Sequence, residues 1–305
     1  MSLGLIFPGQ GSQQVGMGGD FAAHHAEARQ LFEEANDALG FDLKKLCLEG
    51  PEDELTLTFN AQAAILTVAT MAHRLLGTRV ALAPHSVAGH SVGEYSAVVA
   101  AGALDFADAV RTVYQRGKFM QEATPVGVGA MAALLGATPE EVETLCAEEA
   151  QGQVVQAANF NTPGQIVISG HAEAVQRVVA RTKGKMLTVS APFHSALMEP
   201  AAEQMAKVLQ ALTFRNAGVP VVANFDNAFL TDAGAFPRSL ERQIASPVRW
   251  DTGIQAMIGQ GVAQFVELGH GKVLSGMMRR IDKSAQVINV MDDESLGEAA
   301  TTLGG

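Results

Sequence analysis

The sequence predicts an α/β fold, a parallel sheet covered by helices with a smaller domain inserted into it. Apolar strands alternate with helix-length stretches towards both ends of the 305-residue chain, the pattern of a sheet packed on both faces. Between about residues 126 and 191 the order becomes strand, helix, strand, strand, helix, strand, the split βαβ arrangement. A Gly-x-Ser-x-Gly sequence, Gly89-His90-Ser91-Val92-Gly93, stands where a strand hands over to a helix.

The first strand is "LGLIF" at 3–7, running directly into the loop "PGQGSQ". That loop is not a dinucleotide fingerprint, because Gln14 stands where a third glycine is needed and no Gly-Lys-Ser/Thr follows. A buried helix is expected over 60–76, with Asn60 as its cap and Gly77 as its stop. "EYSAVVAAGAL" has the small-residue composition of a helix packed closely on a sheet, and "DFADAVRTVYQRGKFMQEA" reads as a second helix.

Within the insertion "GVGAMAALLG" is a strand, and "TPEEVETLCAEEA" is a helix with Thr138 as cap, Pro139 in the first turn and Glu141 closing a capping box. The strands "VVQAANFN" and "QIVISG" meet at the turn "TPG", and the helix "AEAVQRVVARTK" and strand "KMLTVS" complete the unit. Alternation then resumes: a helix near 198–211, the strand "VPVVANF", helices around 236–243 and 251–259, the strand "AQFVEL", a basic helix and the strand "AQVINV". The tail "DDESLGEAATTLGG" is expected to be loosely held. The expected domains are therefore 1–125 with 192–305, and 126–191.

A net charge of −11 argues against a general nucleic-acid surface, whose affinity comes from lysines and arginines meeting phosphates. Positive charge gathers in "GKVLSGMMRRIDK", where Lys272, Arg279, Arg280 and Lys283 offer a local patch for an anionic partner. No window approaches the ~20 apolar residues of a membrane span and no signal-peptide pattern appears, so a cytoplasmic protein without membrane association is expected. Cys47 and Cys146 lie far apart without a CxxC or a zinc-spaced histidine, so they read as ordinary thiols and no metal site is expected.

The stretch "PHSVAGHSVGEYSA", residues 84–97, holds His-Ser-Val twice. Only Ser91 has a glycine two residues to either side, which the sharp turn of a nucleophile elbow needs; Ser86 has Pro84 and Ala88 there. Of the eight histidines, His194 in "SAPFHSALMEP" falls where the chain re-enters the main sheet and is the candidate base, with His270 in "ELGHGKVL" the second candidate. The Val92 amide, after the nucleophile, and Gln10 in the "GQGSQ" loop are the candidate oxyanion donors. No Asp is placed as a third triad member, which leaves a backbone carbonyl to orient the base.

Six motifs occur in order: "PGQGSQ", "GHSVGEYSA", "QRGKFMQEA", "NFNTPGQIVISG", "PFHSALM" and "GHGKVLSG". With them the chain resembles, over almost its whole length, the malonyl-CoA:acyl carrier protein transacylases of bacterial fatty acid synthesis. The resemblance implies an α/β-hydrolase-like large domain with an inserted ferredoxin-like small domain and the active site between them. It implies that Ser91 accepts the acyl group, His194 is its general base, and Gln10 and Val92 are oxyanion donors. Arg116 is similar to the family arginine that binds the malonyl carboxylate, Gln243 matches the position whose carbonyl orients the histidine, and Asn161 aligns with a polar residue near the substrate. Phe193 resembles the bulky residue of malonyl-selective enzymes, so methylmalonyl-CoA is expected to be a poor donor. The implied partners are malonyl-CoA and an acidic acyl carrier protein, with no cofactor and a monomer as the default. Because this chain is itself acidic, the carrier is expected to dock on Lys272, Arg279 and Arg280, joined by Lys183 and Lys185. Two positions depart from the family pattern: His270 and Ala63 stand where the family commonly has Pro. A serine esterase or thioesterase, a transferase serving a polyketide synthase, and a non-catalytic carrier-binding subunit are the competing readings.

Overall fold

The computed structural model describes residues 2–304. Strand β1 (Ser2–Phe7) is followed by α1 (Gly19–His24), α2 (Ala26–Leu39), α3 (Leu43–Glu49), α4 (Glu52–Thr56) and the long helix α5 (Thr58–Arg79). Helix α5 starts two residues earlier than the sequence predicts and runs through Gly77. Asn60 does not cap it; its side-chain amide donates to the Glu54 carbonyl at 2.9 Å. Every residue from Asn60 to Ala72 is buried, and packing of that extent outweighs the roughly 1 kcal/mol that one interior glycine costs.

Strand β2 (Pro84–Gly89) leads through Ser91 into α6 (Gly93–Ala100), and α7 (Phe106–Glu122) follows. The next six elements are β3 (Gly129–Leu135), α8 (Pro139–Glu149), β4 (Val155–Thr162), β5 (Gln165–His171), α9 (Ala172–Ala180) and β6 (Gly184–Met186). They form a sheet in the order β4-β5-β3-β6 with antiparallel neighbours, the split βαβ topology, around an apolar cluster that includes Val142, Ile168 and Val175. The capping box of Thr138 and Glu141 is formed as the sequence predicts. β6 is shorter than the predicted "KMLTVS" strand: Gly184, Lys185 and Met186 pair with β3, the Leu187 amide still donates to the Met131 carbonyl at 2.9 Å, and Leu187 to Ser190 line a cavity.

The chain returns through α10 (Glu199–Gln210), β7 (Val221–Val222), β8 (Phe229–Leu230), α11 (Phe236–Ala245), α12 (Trp250–Gly259), β9 (Val262–Leu268), α13 (Val273–Ile281), β10 (Gln286–Val290) and α14 (Asp293–Gly304). The main sheet has the order β10-β9-β1-β2-β7-β8. It is parallel except for β8, which pairs antiparallel with β7 and closes the edge. The predicted strand "VPVVANF" is cut to two residues because Asn224 leaves the ladder to bond Gly89 and Glu94. The tail is not loose. Leu296 and Ala299 share the buried face of α14, and the Asp292 side chain accepts from the Ser295 amide at 2.8 Å where the helix begins. No helix among the described residues is long and apolar enough to cross a membrane.

Candidate active site

The turn after β2 is built by glycine. A Cβ on Gly89 would lie 1.9 Å from the Gly93 carbonyl oxygen, and one on Gly93 would lie 2.3 Å from that of Phe7. Ser91 at the apex has φ 51 and is held left-handed, a conformation that costs a non-glycine residue about 1 kcal/mol or more. Asn224 clamps the turn, accepting from the Ser91 amide and donating to the Gly89 carbonyl, both at 2.7 Å. Ser86 is fully buried within β2 and takes no part.

The structure brings His194, also at a positive φ of 58, to the elbow: its Nε2 lies 2.7 Å from Ser91 Oγ. His194 Nδ1 lies 2.9 Å from the Gln243 carbonyl. A carbonyl only accepts, so Nδ1 carries the hydrogen and Nε2 keeps its lone pair for the serine proton. Burial, and then the nearby Arg116 charge, push His194 down to about 3, so the ring is neutral at neutral pH. His270 is elsewhere, its Nε2 3.4 Å from Gln14 Oε1.

Arg116 of α7 is fully buried. Its Nη1 donates to Gln62 Oε1 at 2.8 Å, and its Nη2 to Gln243 Oε1 at 2.8 Å and Ser91 Oγ at 3.3 Å. These acceptors are neutral, and the Nε hydrogen has no partner among the described residues. Arginine keeps its charge in such surroundings, so the site presents a desolvated cation beside the nucleophile.

A cavity of about 630 Å³ opens over these groups and is lined by Gln10, Ser91, Arg116, Asn161, Phe193 and His194 among others. Val92 and Gln243 lie buried behind it. Among the described residues neither the Gln10 nor the Val92 amide has a hydrogen-bond acceptor, so both are free for an oxyanion. His90 Nε2 donates to Asn161 Oδ1 at 2.9 Å. Lys272, Arg279 and Arg280 are exposed on or beside α13 and lie outside the cavity lining, whereas Val273, Leu274 and Met277 of that helix belong to it.

Sequence reasoning gave no role to three residues that hold these groups in place. Gln62 on Arg116 could have been noticed as an amide within the apolar run of its helix, and Glu94, bonded to Gln243 Nε2 at 2.7 Å, as a carboxyl directly after the elbow glycine. Asn224 carried no local signal. Together the groups can attack an acyl carbonyl, hold its oxyanion and bind an anion at the far end of the acyl chain.

The acyl transferase domain family matches residues 5–301. The malonyl CoA-acyl carrier protein transacylase of Escherichia coli (strain K12) is 48% identical over 283 residues, covering 91% of this chain and 92% of the relative. That of Bacillus subtilis (strain 168) is 44% identical, covering 99% and 97%. Among solved structures, the malonyl CoA-acyl carrier protein transacylase of Coxiella burnetii superimposes with a TM-score of 0.98 at 38% identity, covering 100% of this chain and 98% of the other. A malonyl-transacylase solved in complex with its type II PKS acyl-carrier protein gives 0.96 at 43% identity, covering 99% and 100%. The elbow serine with its histidine and buried arginine thus sits in a chain related from end to end to these enzymes, and the chain belongs to the acyl transferase domain family, among its malonyl CoA-acyl carrier protein transacylases.

Proposed function

We propose that the protein moves a malonyl group from malonyl-CoA to the phosphopantetheine thiol of an acyl carrier protein in fatty acid synthesis, through a malonyl ester on Ser91. Ser91 Oγ attacks the thioester carbon as His194 Nε2 takes its proton; the oxyanion rests on the Gln10 and Val92 amides; coenzyme A leaves as its sulfur recovers the proton from His194. The carrier thiol then attacks the ester, its proton passes to His194, and Ser91 Oγ is restored with that proton. Donor and product are both thioesters, so the transfer requires no cofactor and no metal.

The observation that carries this reading is the 3.3 Å between Arg116 Nη2 and Ser91 Oγ. An acyl chain esterified on the serine needs only a short span to place a carboxylate on the guanidinium, and a charge-assisted pair there favours malonyl over acetyl. Phe193 and Asn161 line the cavity, and the bulk of Phe193 is expected to disfavour an α-methyl branch. The exposed Lys272, Arg279 and Arg280, joined by the exposed Lys183 and Lys185, are the proposed carrier-docking patch. We assign residues 1–125 and 192–305 to a large catalytic domain and 126–191 to a small one, acting as a monomer in the cytoplasm.

The relative solved with a polyketide carrier supports a second reading, in which this chain serves a polyketide carrier instead. Initial rates measured while varying malonyl-CoA and the carrier test the mechanism. Parallel double-reciprocal lines are expected for a double displacement, and lines that intersect contradict a covalent intermediate.

A further inference from the structure

The transfer outlined above leaves one buried titratable group of the site without a task. Glu94, the second residue of α6, is 1% exposed. Its Oε2 accepts from Gln243 Nε2 at 2.7 Å and from the Asn224 amide at 3.1 Å. The Gln243 side chain thereby acquires a direction. Its Nε2 donates to Glu94 and also to the Ser91 carbonyl at 3.0 Å. Its Oε1 must then face the other way, where it accepts from Arg116 Nη2 at 2.8 Å. Turned over, the amide would set donors against the guanidinium and an oxygen against the carboxyl. The same residue receives His194 Nδ1 on its backbone carbonyl, so Gln243 joins the base to the arginine.

We propose that Glu94 is a positioning and specificity-determining residue: through the Gln243 amide it fixes Arg116 for the carboxylate of the incoming acyl group and couples use of that arginine to a proton. The inference rests on the malonyl-transfer reading.

The coupling follows from the charges around Glu94. Arg116 faces it from α7, Asp226 from the loop after β7, and Tyr95 lies beside it on α6. Burial pushes the Glu94 carboxyl up to about 7; the hydrogen bonds from Gln243 and Asn224 and the Arg116 charge pull downward, and Asp226 adds to the rise. Ionised Glu94 offsets part of the Arg116 charge, whereas neutral Glu94 leaves that charge whole for a substrate carboxylate. Diacid binding therefore favours the protonated form and takes a proton from solvent when Glu94 is ionised. Malonyl loading is expected to weaken as pH rises through about 7, and acetyl loading, which makes no use of the arginine charge, is not.

The test is single-turnover loading of Ser91 by malonyl-CoA and by acetyl-CoA, from about pH 6 to pH 9, in wild type, Glu94→Gln and Glu94→Leu. A wild type that takes no malonyl group overturns the transfer reading itself, independently of Glu94. Given loading, Glu94→Leu is expected to lower the malonyl-over-acetyl ratio about tenfold or more, through the malonyl rate. Glu94→Gln offers an oxygen to the same donors, so at neutral pH its ratio is expected within about threefold of wild type. In Glu94→Gln the decline of malonyl loading above about pH 7 is expected to vanish, because the side chain no longer titrates. Equal loss of both donors in Glu94→Leu, or a wild-type pH profile in Glu94→Gln, overturns the proposal. Should Glu94→Leu fail to fold, the Glu94→Gln profile decides alone: a flat profile where the wild type declines supports the role, and a profile matching the wild type, declining or flat, refutes it.

Discussion

Arg116 carries its charge out of water, and among the described residues its hydrogen bonds go to two amide oxygens and a hydroxyl, none of them charged. Such a cation favours an anionic ligand strongly, because the anion replaces the hydration that burial removed. Arg116→Ala is therefore expected to slow malonyl loading of Ser91 roughly 100-fold or more while changing acetyl loading far less, since a bidentate charge-assisted pair is lost only by the diacid. Rapid-quench mass measurement checks it, and an equal fall for both donors contradicts the assignment. At this scale legibility varied with how local the signal was. Ser91 could be read from two glycines set between a strand and a helix, whereas nothing on the amphipathic α7 marks Arg116 for burial; only its carboxylate-binding role was implied, by family resemblance. Gln62 and Asn224 reach the site only through packing between elements distant in sequence, 54 residues from Arg116 in one case and 133 from Ser91 in the other.

The elbow is the element on which the site depends most. Because a Cβ on Gly89 would overlap the Gly93 carbonyl, Gly89→Ala cannot be accommodated by moving a flexible side chain; the backbone of the turn must shift. The variant is expected to lose about 3 kcal/mol or more of stability or to fold with an inactive elbow, and chemical denaturation alongside loading assays distinguishes the two. A stable, fully active variant contradicts the close packing. Elements governed by local chemistry were foreseen closely, as with the capping box of α8. Those decided by tertiary packing were not: α5 overruns Gly77 within the core, β7 ends where Asn224 turns to the elbow, and α14 is ordered by the burial of Leu296 and Ala299.

For the whole molecule, the buried His194 and the half-buried His73 set an acid limit on stability. Burial pushes His194 down to about 3 and His73 on α5 to about 4. The unfolded chain binds protons at both below its ordinary value of 6.5, which the folded chain does not, so their contribution is complete above that pH and lost as pH falls towards 4 and then 3. Glu94, raised to about 7 from 4.5, runs the other way: its contribution is complete below 4.5 and lost as pH rises towards 7. Replacing His73, which packs edge-on to Phe7, isolates one proton. His73→Phe is expected to flatten the dependence of unfolding free energy on pH between about 4.5 and 6 by roughly 1 kcal/mol per pH unit; superimposable slopes contradict a desolvated, neutral His73. The α/β architecture and the split βαβ insertion were legible because strand and helix periods recur along the chain, while the short and antiparallel edge strands carried too few residues to show a period. The central claim is that a malonyl group rests on Ser91 between two thiols. Intact-protein mass spectrometry with peptide mapping after brief exposure to malonyl-CoA, followed by addition of a thiol-bearing acyl carrier protein, tests it directly. The expected result is a malonyl adduct on Ser91, absent in Ser91→Ala, that moves to the carrier. No adduct, or one lost to water before the carrier is added, would contradict it.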